Sequence, residues 1–87
     1  MDKKYYTYVL KSQRDHLYYV GFSENIDVRL KEHNDGKVHS TKHRIPFELV
    51  YYEVCFNNAD ALHREKYLKT SYGKRYIKSR LKNYLTG

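Results

Sequence analysis

Two strand-like runs lie so close together that they leave one simple way to pair. "YYTYVLKS" begins at Tyr5 and "LYYVGF" at Leu17, with only the polar connection "SQRDH" around the gap. Both runs are rich in β-branched and aromatic residues, so they predict strands over 5–11 and 17–22 joined as an antiparallel hairpin. Side chains alternate along a strand, which puts Tyr6 and Tyr8 on one face of the first strand, and Leu17, Tyr19 and Gly21 on one face of the second. A face carrying tyrosines from both strands follows.

A chain of 87 residues supports one core, so the remaining elements must close over this hairpin, and the expectation is a single domain over 1–87. After Gly21 the pattern turns helical. Ser23 or Asn25 can cap, Glu24 and Asp27 suit the positive end, Ile26 and Leu30 make a small apolar stripe, and Gly36 ends the helix. Arg29 and His33, four residues apart, flank that stripe. The basic loop "KVHSTKHR" closes at Pro46, and "FELVYYEVC" alternates as a third strand over 47–55. From Asn57 or Asn58 a second helix places Ala61, Glu65, Leu68 and Tyr72 on one side, until Gly73 breaks the pattern. "KRYIKSRLKNYL" then forms a final basic helix with Ile77, Leu81 and Tyr84 inward. The expected architecture is α+β (α/β in the broad sense): a three-stranded antiparallel sheet flanked by helices, in the order β-β-α-β-α-α.

The charge is one-sided. Residues 1–65 hold ten Lys/Arg and ten Asp/Glu, whereas residues 66–87 hold seven Lys/Arg and no acid, so the net +7 comes entirely from the end of the chain. Such a segment suits a polyanion, because neutralising phosphates releases counterions. The candidate phosphate-contacting residues are Lys69, Lys74, Arg75 and Lys78 there, with Lys37, Lys42 and Arg44 in the basic loop. Eleven tyrosines and no tryptophan add stacking faces that also carry a hydroxyl. No apolar run approaches the ~20 residues of a membrane span, and the start of the chain lacks the apolar stretch of a signal peptide. With Cys55 as the single cysteine there is no disulfide framework, which points to the reducing cytoplasm.

Five side chains are hard to explain as ordinary surface: Tyr8, Tyr19, Arg29, His33 and Glu65. An inward carboxylate is costly without a cation or strong donors, and Glu65 falls in the middle of an apolar stripe. Together the five supply a proton acceptor, a fixed positive charge, a second proton carrier and a metal-binding carboxylate, the parts needed to hydrolyse a phosphodiester. Each also has a plain structural reading, with Glu65 as the ion-pair partner of a neighbouring lysine or arginine. His39 and His43 have helical zinc-like spacing, but no cysteine pair or third ligand accompanies them.

The blocks "YTYVLKS", "YVGFS", "RLKEHNDG", "PFELVY" and "ALHREKYLK" resemble, in order and spacing, the GIY-YIG endonuclease superfamily. The likeness is greatest to its small single-domain members, akin to the N-terminal nuclease domain found in the DNA-repair excinuclease. The family's first motif falls on Tyr6, Thr7 and Tyr8, with its glycine and isoleucine replaced, and the second on Tyr19, Val20 and Gly21. That departure bears on activity more than on fold. The resemblance implies that Arg29, His33 and Glu65 match the family's helix arginine, its following histidine and its metal-binding glutamate.

What the resemblance implies for function is one-metal phosphodiester hydrolysis in nucleic acid, with DNA favoured over RNA. Glu65 would hold Mg²⁺ or Mn²⁺, hard cations that accept a lone carboxylate completed by water and phosphate oxygens. Tyr8, Tyr19 and His33 all stand as candidates for the general base. With no second domain to read sequence, structure-directed or weakly selective cutting is expected, leaving room for a protein partner that supplies specificity. The competing readings are a catalytically weak nucleic-acid-binding module of the same fold, and an interaction protein whose basic segment meets an acidic partner.

Overall fold

In the computed structural model, which describes residues 3–86, the two aromatic runs form the expected hairpin, β1 (Tyr5–Ser12) and β2 (Tyr18–Ser23). Met1, Asp2 and Gly87, part of the expected single domain, lie outside the described residues. The third strand, β3 (Phe47–Cys55), pairs antiparallel with the other side of β1, giving the order β2-β1-β3. The β1/β2 register sets Tyr8 opposite Gly21 and Leu10 opposite Tyr19, so the tyrosine-bearing face is the one the alternation predicts. β2 runs to Ser23, one residue past the expected bound.

Helix α1 (Ile26–Asn34) starts at Asn25, whose side chain accepts from the Val28 amide at 3.2 Å. The chain leaves α1 through Gly36, whose φ of 75° is open to glycine at no steric cost. The end of α1 is tied to the start of β3 by a reciprocal pair: Asn34 Nδ2 donates to the Phe47 carbonyl at 3.0 Å, and the Phe47 amide donates to Asn34 Oδ1 at 2.6 Å. Helix α2 (Asn58–Leu68) is capped by Asn57, and α3 (Ser71–Arg80) and a short α4 (Lys82–Thr86) follow.

The two faces of β1 feed two small cores. Tyr8 and Leu10 pack with Phe47 under α1, against Tyr19, Ile26 and Leu30. Val9, on the opposite face, packs with Leu68 of α2 and Ile77 of α3, flanked by Tyr18, Val20 and Leu81. Each fully buried aliphatic side chain contributes about 1.5–3 kcal/mol, which is how so small a sheet holds helices on both sides. The Thr7 hydroxyl donates to the Ala61 carbonyl at 2.9 Å, anchoring α2 across the sheet. Arg64 fixes α2 to β3 through Glu53 at 2.9 Å, and its guanidinium also lies 4.8 Å from the centre of the Tyr76 ring of α3.

The second helix ends earlier than its apolar spacing suggests. Thr70 stops it by capping a new helix, its hydroxyl accepting from the Gly73 amide at 3.2 Å. Tyr72 therefore belongs to α3 and is 65% exposed, not inward. Gly73 is no helix breaker either: it is buried inside α3, where its bare Cα lets that helix touch the backbone of Tyr67 and Leu68. Tyr84, expected inward, is exposed and hydrogen-bonds to Glu48.

Candidate active site

Tyr8 is central because β1 is central. Its ring lies over Gly21 of β2, where a side chain would collide with it, and the whole side chain is buried. Its hydroxyl meets His33 from α1, with 2.9 Å between the hydroxyl and Nε2. His33 is wholly buried, and its other nitrogen, Nδ1, lies 2.8 Å from the Thr41 hydroxyl. The Tyr19 ring stacks edge-on to His33 at 5.1 Å between centres, so four of the five awkward side chains converge once Arg29 is added one turn earlier on α1.

The protonation states follow from burial and charge. Burial pushes the Tyr8 hydroxyl up to about 12; the nearby Arg29 guanidinium pulls against that shift, while Tyr19 and Glu65 add to it. His33 is driven down to about 4, first by burial and then by the positive charge of Arg29. At neutral pH Tyr8 thus keeps its proton and His33 is neutral. Tyr8 donates to Nε2, Nδ1–H donates to Thr41, and the Thr41 hydroxyl donates on to the Val38 carbonyl at 3.4 Å, a chain in which every polar hydrogen has an acceptor.

Glu65 comes from the other side of the sheet, on α2, near enough to Tyr8 for its carboxylate to be felt there. Its side chain is 20% exposed and pairs with Lys69 at 3.3 Å, one turn along the helix. The ion-pair reading of Glu65 is therefore met in part, by a lysine that is itself 54% exposed and can swing away. Among the described residues no group of three or more His, Cys, Asp and Glu side chains could form a metal cage. A cation here would rest on one carboxylate completed by water and phosphate oxygens, a donor set that fits Mg²⁺ or Mn²⁺ rather than zinc.

The basic residues divide. Lys69, Lys74, Arg75 and Lys78 line a cleft of about 650 Å³ along β2, together with Leu17, Tyr18, Tyr19, Val20 and Leu68. Lys37 and Lys42 lie away from that cleft, in the connection between α1 and β3. Arg44 is engaged with Asp15 at 2.7 Å and lies 5.4 Å over the Phe47 ring, which makes it a brace for the loop that carries Thr41. Nothing in the sequence singled out Thr41. It lies in an aperiodic loop, and only the arrival of that loop beneath His33 gives it a task.

Comparison with known proteins assigns the chain to a family. The family model for the GIY-YIG catalytic domain matches residues 4–84. A UPF0213 protein of Staphylococcus haemolyticus is 38% identical over 68 residues, covering 77% of this chain and 82% of that protein. One from Bacillus licheniformis is 44% identical over 66 residues, 75% of this chain and 67% of that protein. The solution NMR structure of a UPF0213 protein from Bacillus halodurans superposes with a TM-score of 0.55 at 29% identity, covering 87% of this chain and 83% of the other. The chain belongs to the GIY-YIG family, whose catalytic domain is of the nuclease type and acts on nucleic acid.

Proposed function

We propose that the protein is a divalent-metal-dependent endonuclease acting on nucleic acid, DNA in the first place, with Tyr8 and His33 as its proton relay. The observation that carries this reading is the 2.9 Å contact between the Tyr8 hydroxyl and a neutral, buried His33. As water attacks phosphorus, its proton passes to the Tyr8 oxygen while the proton of Tyr8 passes to Nε2. The phosphorus–oxygen bond to the leaving group breaks, and solvent protonates the departing oxygen. Arg29 meets the negative charge that develops on the phosphate oxygens. Glu65 would hold Mg²⁺ or Mn²⁺, which would supply Lewis-acid stabilisation of developing negative charge.

The resting relay is shut. Burial holds the proton on Tyr8 and keeps it off His33, so bare transfer between them is uphill. Positive charge beside Tyr8 lowers that gap, and Arg29 is the one permanent source of it among the site residues. Tyr19, edge-on to His33, orients the imidazole and borders the path of the substrate. The lone cysteine, Cys55, is a free thiol, which favours the reducing cytoplasm as the working compartment; no described helix is long and apolar enough to cross a membrane.

The test is a panel of plasmid, duplex, flap, junction and single strand incubated in Mg²⁺, Mn²⁺ or EDTA. Cutting in either metal, none in EDTA, and loss of cutting in Tyr8→Phe are the expected results. A Tyr8→Phe protein that cuts at the parental rate, or undiminished cutting in EDTA, overturns the assignment.

A further inference from the structure

We infer that the cleft between β2 and α3 seats an unpaired nucleobase of the bound strand, immediately beside the phosphate to be cut, so that single-stranded or branched nucleic acid is the preferred substrate. This rests on the nuclease reading above and narrows its substrate. At about 650 Å³ the cleft is within the size range of sites that enclose small flat ligands. Its floor is apolar, built from Leu17, just ahead of β2, and Tyr18 and Val20 of β2, and Leu17 is 63% exposed, an apolar side chain that no core uses.

The rim is cationic. Lys74, Arg75 and Lys78 form no salt bridge among the described residues, and no acid lies in residues 66–87 to supply one. Cations over an apolar floor match one nucleotide, a flat base with a phosphate at its side. A stacked duplex has no base to offer such a floor, and contact with its phosphates needs lysines alone. Position points the same way. Tyr19 borders both the cleft and His33, and Lys69 lines the cleft while pairing with Glu65, so an occupant of the cleft lies next to the candidate metal carboxylate. An acidic peptide would also suit the rim, but nothing in peptide binding requires the cleft to open onto Tyr19 and Glu65.

Fluorescence anisotropy in EDTA tests this on the unaltered protein, with a labelled single strand, a flap, a blunt duplex and a single strand carrying abasic residues in its middle. The single strand and flap are expected to bind about tenfold more tightly than the duplex, and the abasic strand to lose about tenfold, the usual worth of one stacked base. Leu17→Ala, at an exposed position, should reproduce the abasic loss without weakening duplex binding. Equal affinity for abasic and intact strands, or for duplex and single strand, overturns the proposal. Competition by poly-glutamate as strong as by oligonucleotide would reassign the cleft to a protein partner. Cutting of duplex and flap at one rate in Mg²⁺ defeats the cleft and leaves the nuclease reading standing. Discrimination in binding with no cutting in any metal defeats the nuclease reading and leaves the cleft standing.

Discussion

The ring of Tyr8 occupies the space that a side chain on Gly21 would need: a Cβ built there falls 2.4 Å from both Cζ and the hydroxyl oxygen. The glycine of the second family motif thus makes room for the tyrosine of the first. Gly21→Ala is expected to push Tyr8 off His33, costing about 1–3 kcal/mol of stability by overpacking and removing cleavage. Urea denaturation and the nuclease assay check both, and a variant with parental stability and rate refutes the contact.

His33 should make the fold acid-sensitive. Its pKa is about 4 in the folded protein against 6.5 when unperturbed, so the unfolded chain binds the extra proton first. The stability due to neutral His33 is complete above pH 6.5 and is lost as pH falls towards 4, a total of roughly 3 kcal/mol. Urea midpoints measured across that interval should fall with pH in the parental protein and stay flatter in His33→Gln. A slope unchanged by that substitution would place the acid sensitivity elsewhere.

Tyr8 gives the opposite sign at the alkaline end. Its hydroxyl holds its proton to about 12 in the fold and to 10 in the reference state. The stability it contributes is therefore intact below pH 10 and drains away as pH rises to 12. Tyr8→Phe should lose this alkaline component, visible as a shallower fall of the urea midpoint above pH 10.

Glu65→Gln separates chemistry from structure. The partner of Glu65 is a lysine more than half exposed, so losing the pair should cost under about 1 kcal/mol, not the ~3 kcal/mol of a stranded buried cation. Metal-dependent cleavage should disappear while DNA affinity in EDTA is nearly unchanged. A markedly lower melting temperature, or cutting at the parental rate, would sink the metal-ligand assignment.

Gly73→Ala tests the close approach of α3 to α2. In an exposed helix interior that change stabilises by up to about 1 kcal/mol. Here the new methyl would meet the Tyr67 carbonyl oxygen at 2.3 Å and Leu68 Cα at 2.4 Å, both backbone. The sign should therefore reverse, with a loss of about 2 kcal/mol. A more stable variant in urea would show that the helices have room to part.

Local signals in the sequence reach far into the fold. Alternation sets the faces of β1, β2 and β3, Asn25 and Asn57 announce their helices as caps, and the count of charges puts the positive excess at the end of the chain. These are legible because they depend on neighbours within about one helical turn. The helix boundary after Leu68 is not, since Thr70 can cap and Gly73 can break with equal local warrant, and burial against Leu68 decides between them. Arg44 reads as a free phosphate contact in the sequence, whereas the fold brings Asp15, distant along the chain, against it.

For the site, residue types and spacing are enough to single out Tyr8, Tyr19, Arg29, His33 and Glu65. Only the packed structure decides their relations: Tyr8 on the central strand donates to His33, the second imidazole nitrogen donates to Thr41, and Glu65 of α2, paired with Lys69, comes near enough to be felt at Tyr8. The same packing brings four scattered cations and a set of apolar side chains to line one cleft. Periodicity records which face a side chain takes, whereas its protonation state and partners depend on the dielectric and charges that other segments bring to it, and those exist only when the strands and helices have closed together.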